Sequence, residues 1–170
     1  MSYKHIEVKP TSGFTGAQIS GVDLSHPLHD EAVAEIRQAL LKWKVIFFRN
    51  QNINHAAQIA FTARFGEVTY AHPHEDEPIE GFSQILPIDR SRFERRNGLR
   101  RSSYESRWRT DVTAVVNPPA GSILRAVNIP SFGGNTQWTN LVAAYEGLSA
   151  SLRALADGLK AEHRFIVRSV

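Results

Sequence analysis

The sequence predicts a single α+β domain over residues 1–170, and three observations predict it. Short apolar runs broken by glycine open the chain, helical stripes begin at capping residues, and a proline-bounded apolar run stands in the second half. At 170 residues the chain has the length of one domain and can bury most of its apolar surface. It carries no internal repeat and no low-complexity linker.

In chain order, His5–Val8 and Ala17–Val22 read as short strands punctuated by Gly13, Gly16 and Gly21. Asp30 is the expected N-cap of a helix to about Trp43. Val33, Ile36, Leu40 and Trp43 form its apolar stripe, with Glu31, Glu35, Arg37 and Lys42 facing away. Lys44–Arg49 follows as a buried strand. Asn54 caps a helix over Ala56–Phe65, which Gly66 ends in a left-handed conformation. Residues 67–81 are polar and rich in His, Pro and acid, which predicts a loop. Ser83–Ile88 has a strand's composition, and Ser122–Ile129 is the clearest strand of the second half. Asn140 caps a short helix, and Ser149 begins another that reaches about Leu159. Residues 160–167 read as a strand close to the end of the chain, where unpaired backbone would leave a sticky sheet edge.

Composition narrows the chemistry. Apolar residues make up 42% and charged residues 22%, the balance of a soluble globular protein. No apolar run approaches the roughly 20 residues of a membrane span. The N-terminal ten residues lack a secretory apolar core, so the expectation is a cytoplasmic protein with no membrane partner. The absence of cysteine excludes disulfides and thiolate ligands. A metal site must then use His, Asp and Glu, which favours iron(II) or manganese. The net charge of +3 invites a nucleic-acid reading, but eight of the fifteen arginines crowd into Arg90–Arg109. With no basic helix stripe or aromatic stacking platform, that segment reads as a solvated loop or an anion-binding loop.

Three segments carry the chemistry: Trp108-Arg109-Thr110-Asp111-Val112-Thr113, Pro118-Pro119-Ala120-Gly121, and Ile129-Pro130 followed by Gly133-Gly134-Asn135-Thr136-Gln137-Trp138. Together they resemble the taurine dioxygenase (TauD/TfdA-like) family of iron(II)- and 2-oxoglutarate-dependent dioxygenases, whose pattern runs W-H-x-D, P-P-A-G and I-P-x-x-G-G-x-T-x-W. Gly16–Asp23, Val45–Arg49, Phe65-Gly66, Ala143–Ser149 and Gly158–His163 share the likeness. The resemblance implies a double-stranded β-helix (jelly roll) with flanking helices, here an incomplete domain missing its C-terminal strands. It implies an oxidoreductase that hydroxylates a small molecule, such as a sulfonate or sulfate ester, while 2-oxoglutarate becomes succinate. By the same resemblance Asp111 is the carboxylate iron ligand, Thr136 contacts 2-oxoglutarate and His72 lines the substrate pocket.

Two departures qualify that reading. Arg109 occupies the first-histidine position, and a guanidinium has no lone pair for a metal. The family's distal histidine and its 2-oxoglutarate-binding arginine have no counterpart in the remaining residues. The chain is therefore expected to be inactive, or to be a truncated remnant that needs a complementing chain or a homo-oligomer. Plainer readings stand beside each residue: Asp111 as a turn aspartate, Thr136 as a strand threonine, and Trp108 and Trp138 as core residues. His163 reads as a packing or edge hydrogen-bonding residue, and His72 with His74 as part of a solvated loop.

Overall fold

The computed structural model describes residues 3–71, 78–89, 108, 110 and 112–164. They fall into two compact units, Met1–Gly66 with Leu124–Lys160, and Glu67–Ile123 with Ala161–Val170.

In the first unit, β1 (Glu7–Pro10) and β2 (Ala17–Ser20) pair antiparallel, with Val8 opposite Ile19. The Thr11 N–H donates to the Gly16 carbonyl at 2.9 Å and closes the loop between them. Gly16 sits at φ 89°, where a side chain is strained, and a Cβ there would run into the Thr11 hydroxyl. The chain then crosses through α1 (Asp30–Trp43) to β3 (Ile46–Phe48), which lies parallel to β2. Parallel neighbours cannot be joined by a tight turn, so the helix is the connection the sheet requires. The resulting order is β1-β2-β3.

The helix turns into β3 within two residues, Lys44 and Val45. The Val45 N–H donates to the Trp43 carbonyl at 2.8 Å, and Lys44 between them has φ 67° and ψ −31°. That i→i+2 bond around a positive φ is a γ-turn of the strained kind.

Helix α1 buries Ala32, Val33, Ile36 and Ala39, the i, i+1, i+4, i+7 face of an amphipathic helix. Ile36 and Ala39 meet Ile6, Ile19 and Leu24 from the strand side. Helix α2 (His55–Ala63) adds Phe61, whose ring lies edge-on to Phe48 at 5.7 Å and to Phe65 at 5.1 Å. Asn54 caps α2 as the sequence predicts, its side chain accepting from the Ala57 N–H at 2.9 Å. The helix stops at Ala63, and Gly66 has φ 154° rather than a left-handed helical value.

Two polar residues of α1 depart from expectation. His29, not Asp30, occupies the cap, without a side-chain hydrogen bond. Asp30 opens the first turn and pairs with Arg64, whose guanidinium also donates to the Leu28 carbonyl at 2.8 Å. Glu35, expected to face solvent, accepts the backbone N–H groups of Lys4, His5 and Ile6 at 2.8, 2.9 and 3.2 Å. Desolvation pushes its pKa up, but these donors and the nearby His5 outweigh it and hold the carboxyl below the usual glutamate value.

Further along, the Asn140 side chain accepts from the Ala143 N–H at 3.1 Å at the start of α3 (Leu141–Glu146). Ser149 caps α4 (Ala150–Asp157), which ends two residues earlier than the sequence suggests. The strands expected at Ser83–Ile88 and Ser122–Ile129 do not form. The first is a turn held by an Ile79–Phe82 bridge, and the second has no regular structure. A strand exists only within a ladder; the first segment accepts single backbone bonds, from the Ala71 N–H to Ser83 and from the Ile79 N–H to Ile85, and neither segment forms a ladder among the described residues. Of the strand expected at 160–167, residues 161–164 are irregular and the rest lie outside the described residues. Among the described residues, no helix is long and apolar enough to cross a membrane.

Candidate functional site

The glycine pair that leads into the Thr136 segment needs its glycines: Gly133 and Gly134 have φ 78° and 65°. Thr136 follows in irregular, solvent-exposed backbone rather than in a strand. Two residues on, the Trp138 ring packs edge-on against Phe47 of β3, with centroids 5.6 Å apart. Trp138 is thus attached to the sheet but half exposed, not the core residue the sequence suggests. The Asn140 amide donates to the Phe14 carbonyl at 2.7 Å while its oxygen caps α3. Between these contacts lies an open cleft of about 310 Å³, lined by Phe14, Thr15, Trp138, Thr139, Asn140 and Ala143. Its walls are mostly apolar, and its one amide is already engaged at both ends.

Sequence reasoning missed Arg125. Its guanidinium donates to the Ile53 carbonyl and approaches His55 Nδ1 at 2.9 Å, tying the 124–129 segment to the start of α2. A donor aimed at Nδ1 requires the His55 proton on Nε2. The signal was available: an arginine inside the apolar run Ser122–Ile129 needs partners for its charge.

Asp23, Ser25 and His26 bear the residue types of a hydrolytic triad but not its geometry. The Ser25 hydroxyl donates to Asp23 at 2.6 Å, and His26 Nδ1 lies 3.0 Å from Ser25 and 3.1 Å from Asp23. A triad uses one ring nitrogen to accept the serine proton and the other to meet the carboxylate. Here both contacts fall on Nδ1 of an exposed ring, so the cluster is a surface turn. The Ser25 hydroxyl, then its N–H, hold the Asp23 carboxyl below its usual value.

In the second unit, His163 Nδ1 lies 2.8 Å from the Thr113 hydroxyl, the hydrogen-bonding role expected of it. Val112 beside Thr113 has φ 56°, a left-handed value that a β-branched residue rarely adopts. Trp108 is 68% exposed, which overturns its assignment to the core. Arg109, Asp111, His72 and His74 lie outside the described residues, so Thr136 is the one predicted site residue with a described position. Among the described residues, no three His, Asp or Glu side chains stand close enough to hold a metal ion.

The profile of the taurine catabolism dioxygenase TauD, TfdA family matches residues 7–170, and the chain belongs to that family. A solved taurine dioxygenase from Burkholderia xenovorans superposes with a TM-score of 0.78 at 46% identity, over 95% of this chain and 54% of its own. An alpha-ketoglutarate-dependent sulfate ester dioxygenase of Pseudomonas putida is 40% identical over 93% of this chain and 49% of its own length. An alkylsulfatase of Acinetobacter baylyi is 36% identical over 94% of this chain and 47% of its own. The chain thus spans about half the length of the curated relatives it matches.

Proposed function

We propose that this chain carries part of an iron(II)/2-oxoglutarate-dependent dioxygenase of small sulfate esters or sulfonates, and that the 170 residues do not turn over by themselves. The family match over residues 7–170 carries the class, and the names of the two curated relatives point to the sulfur-oxyanion substrate. In this reading the whole domain is a jelly roll, cytoplasmic, and completed by a second polypeptide segment.

The donor set supports the reading of an inactive chain. Iron(II) in this class needs two histidines and a carboxylate, with open positions for co-substrate and oxygen. Asp111 offers the carboxylate, but Arg109 beside it offers a permanent positive charge and no lone pair. The residues present do not fit the metal, and no step of the oxidation is derived through it. Thr136 retains a hydroxyl suited to a 2-oxoglutarate carboxylate, and His72 an imidazole suited to an anionic substrate.

The test is succinate formation from 2-oxoglutarate with iron(II), ascorbate and a medium-chain alkyl sulfate. The expected result is no succinate above the protein-free background, for the chain itself and for Arg109→His. Steady turnover by either would overturn the reading that more than one ligand is lacking.

A further inference from the structure

Residues 3–6, ahead of β1, lie against the first unit without belonging to its sheet. Ile6 is buried in the core with Ile19, Leu24 and Ile36, and the Tyr3 ring packs against that cluster. The backbone of the segment is held by one side chain. Glu35 of α1 accepts from the Lys4 N–H through Oε1 and from the His5 and Ile6 N–H groups through Oε2. Three successive N–H groups turned to one carboxylate make a small concave anion cradle. Tyr3 works in the other direction. Its hydroxyl is closed to solvent and meets no hydrogen-bond partner, and an unmet buried hydroxyl opposes closure. Apolar burial and one charge thus hold the segment down against the cost of that hydroxyl.

We propose that residues 3–6 are a strap whose closure depends on the charge of Glu35, and that acid loosens it locally before the domain unfolds. An ionised carboxylate accepts only, which suits a ring of N–H donors; protonation adds an O–H that finds no acceptor among them. The charged neighbours on the strap are Lys4 and His5, and the His5 ring favours the ionised form. On α1 the neighbour is Glu31, one turn earlier and of like charge, and β2 carries no charged residue. Desolvation raises the Glu35 pKa, but the strap's N–H groups and His5 hold it below the usual glutamate value. Closure is therefore full above the ordinary glutamate range and weakens as pH falls through the lower folded value. Opening bares Ile6 and gives the Tyr3 hydroxyl to water, while the β1–β2 ladder from Glu7 onward stays paired.

The experiment is amide protection, read by NMR on the 170-residue chain from pH 7 to pH 3, with Ile36 of α1 as internal reference. Protection of Lys4, His5 and Ile6 is expected to fall at least about threefold relative to Ile36. Glu35→Gln should bring the lowered protection to pH 7 and remove its pH dependence. Tyr3→Phe keeps the ring, deletes the unmet hydroxyl and should raise protection of the strap at both ends of the range. Loss of protection at residues 4–6 only in step with Ile36, or no loss at all, would overturn the proposal. So would a Glu35→Gln chain that keeps the wild-type pH dependence, or a Tyr3→Phe chain whose strap opens more readily. The wild-type titration and Tyr3→Phe decide the question even where Glu35→Gln does not fold.

Discussion

At Gly16 two demands meet in one residue. Its φ of 89° lies where a Cβ costs about 1–2 kcal/mol, and the Thr11 hydroxyl occupies the space that Cβ would take. Gly16→Ala should lower unfolding free energy by at least about 1 kcal/mol in a urea titration, with an unchanged m-value. Glu35 acts by charge rather than by shape. Its carboxylate gathers three backbone donors, and its pKa in the folded chain is depressed. A depressed folded pKa means stability that is full above the ordinary glutamate range and lost as pH falls through the lower folded value. Glu35→Gln should therefore lower the melting temperature at pH 7 more than at pH 3, narrowing the difference between the two. The residue scale also marks what a sequence hides. Nothing in its pattern separates Glu35 from Glu31, because partners some thirty residues away decide which of them is a surface charge.

At the scale of elements, helices were more legible than strands. Asn54, Asn140 and Ser149 announce their helices because a cap is a local hydrogen bond between near neighbours. Ser122–Ile129 carries the composition of a strand, but a strand is completed by a partner elsewhere, and composition does not name one. The passage from α1 to β3 had no local signal, since a γ-turn around Lys44 is imposed by the parallel pairing of β2 with β3. Glycine would relieve the positive φ there at the expense of backbone entropy. Lys44→Gly is expected to raise stability by roughly 0.5–1 kcal/mol, read from the urea midpoint. A loss would show that the lysine ammonium on the Leu41 carbonyl, 2.6 Å away, matters more than the turn.

At the scale of the molecule, burial among the described residues is concentrated at one end of the sequence. The residues that exclude water run from Ile6 to Phe61, and α3 and α4 are attached by caps, a polar clip and the Trp138 ring. Local opening follows burial, so native-state amide exchange should be slowest in α1 and β2 and fastest in α3 and α4. Equal protection in the two regions would contradict that gradient. The family was legible because its motifs are short and local: the glycine pair, Thr136 and Trp138 are read without knowing any contact. The core of the first unit was legible in part: the 3.6-residue stripe gave Val33 and Ile36, while Ala32 and Ala39 are buried where Leu40 and Trp43 were expected and these two are half-buried. Illegible were the exposed states of Trp108 and Trp138, which depend on what lies over them and not on their neighbours in sequence.

That gradient runs in the direction of synthesis. A chain extended at about 5–20 residues per second completes the stretch through Phe61 roughly 4–15 s before Thr136 is added. The β1-β2-β3 sheet and α1 can therefore settle on the ribosome before Thr136 or Trp138 exists. The later residues then arrive at a finished platform, where Phe47 receives Trp138 and the Phe14 carbonyl receives Asn140. Errors of synthesis beyond residue 66 would leave that platform intact, so damaged copies would look native to any quality control that inspects only the nascent core.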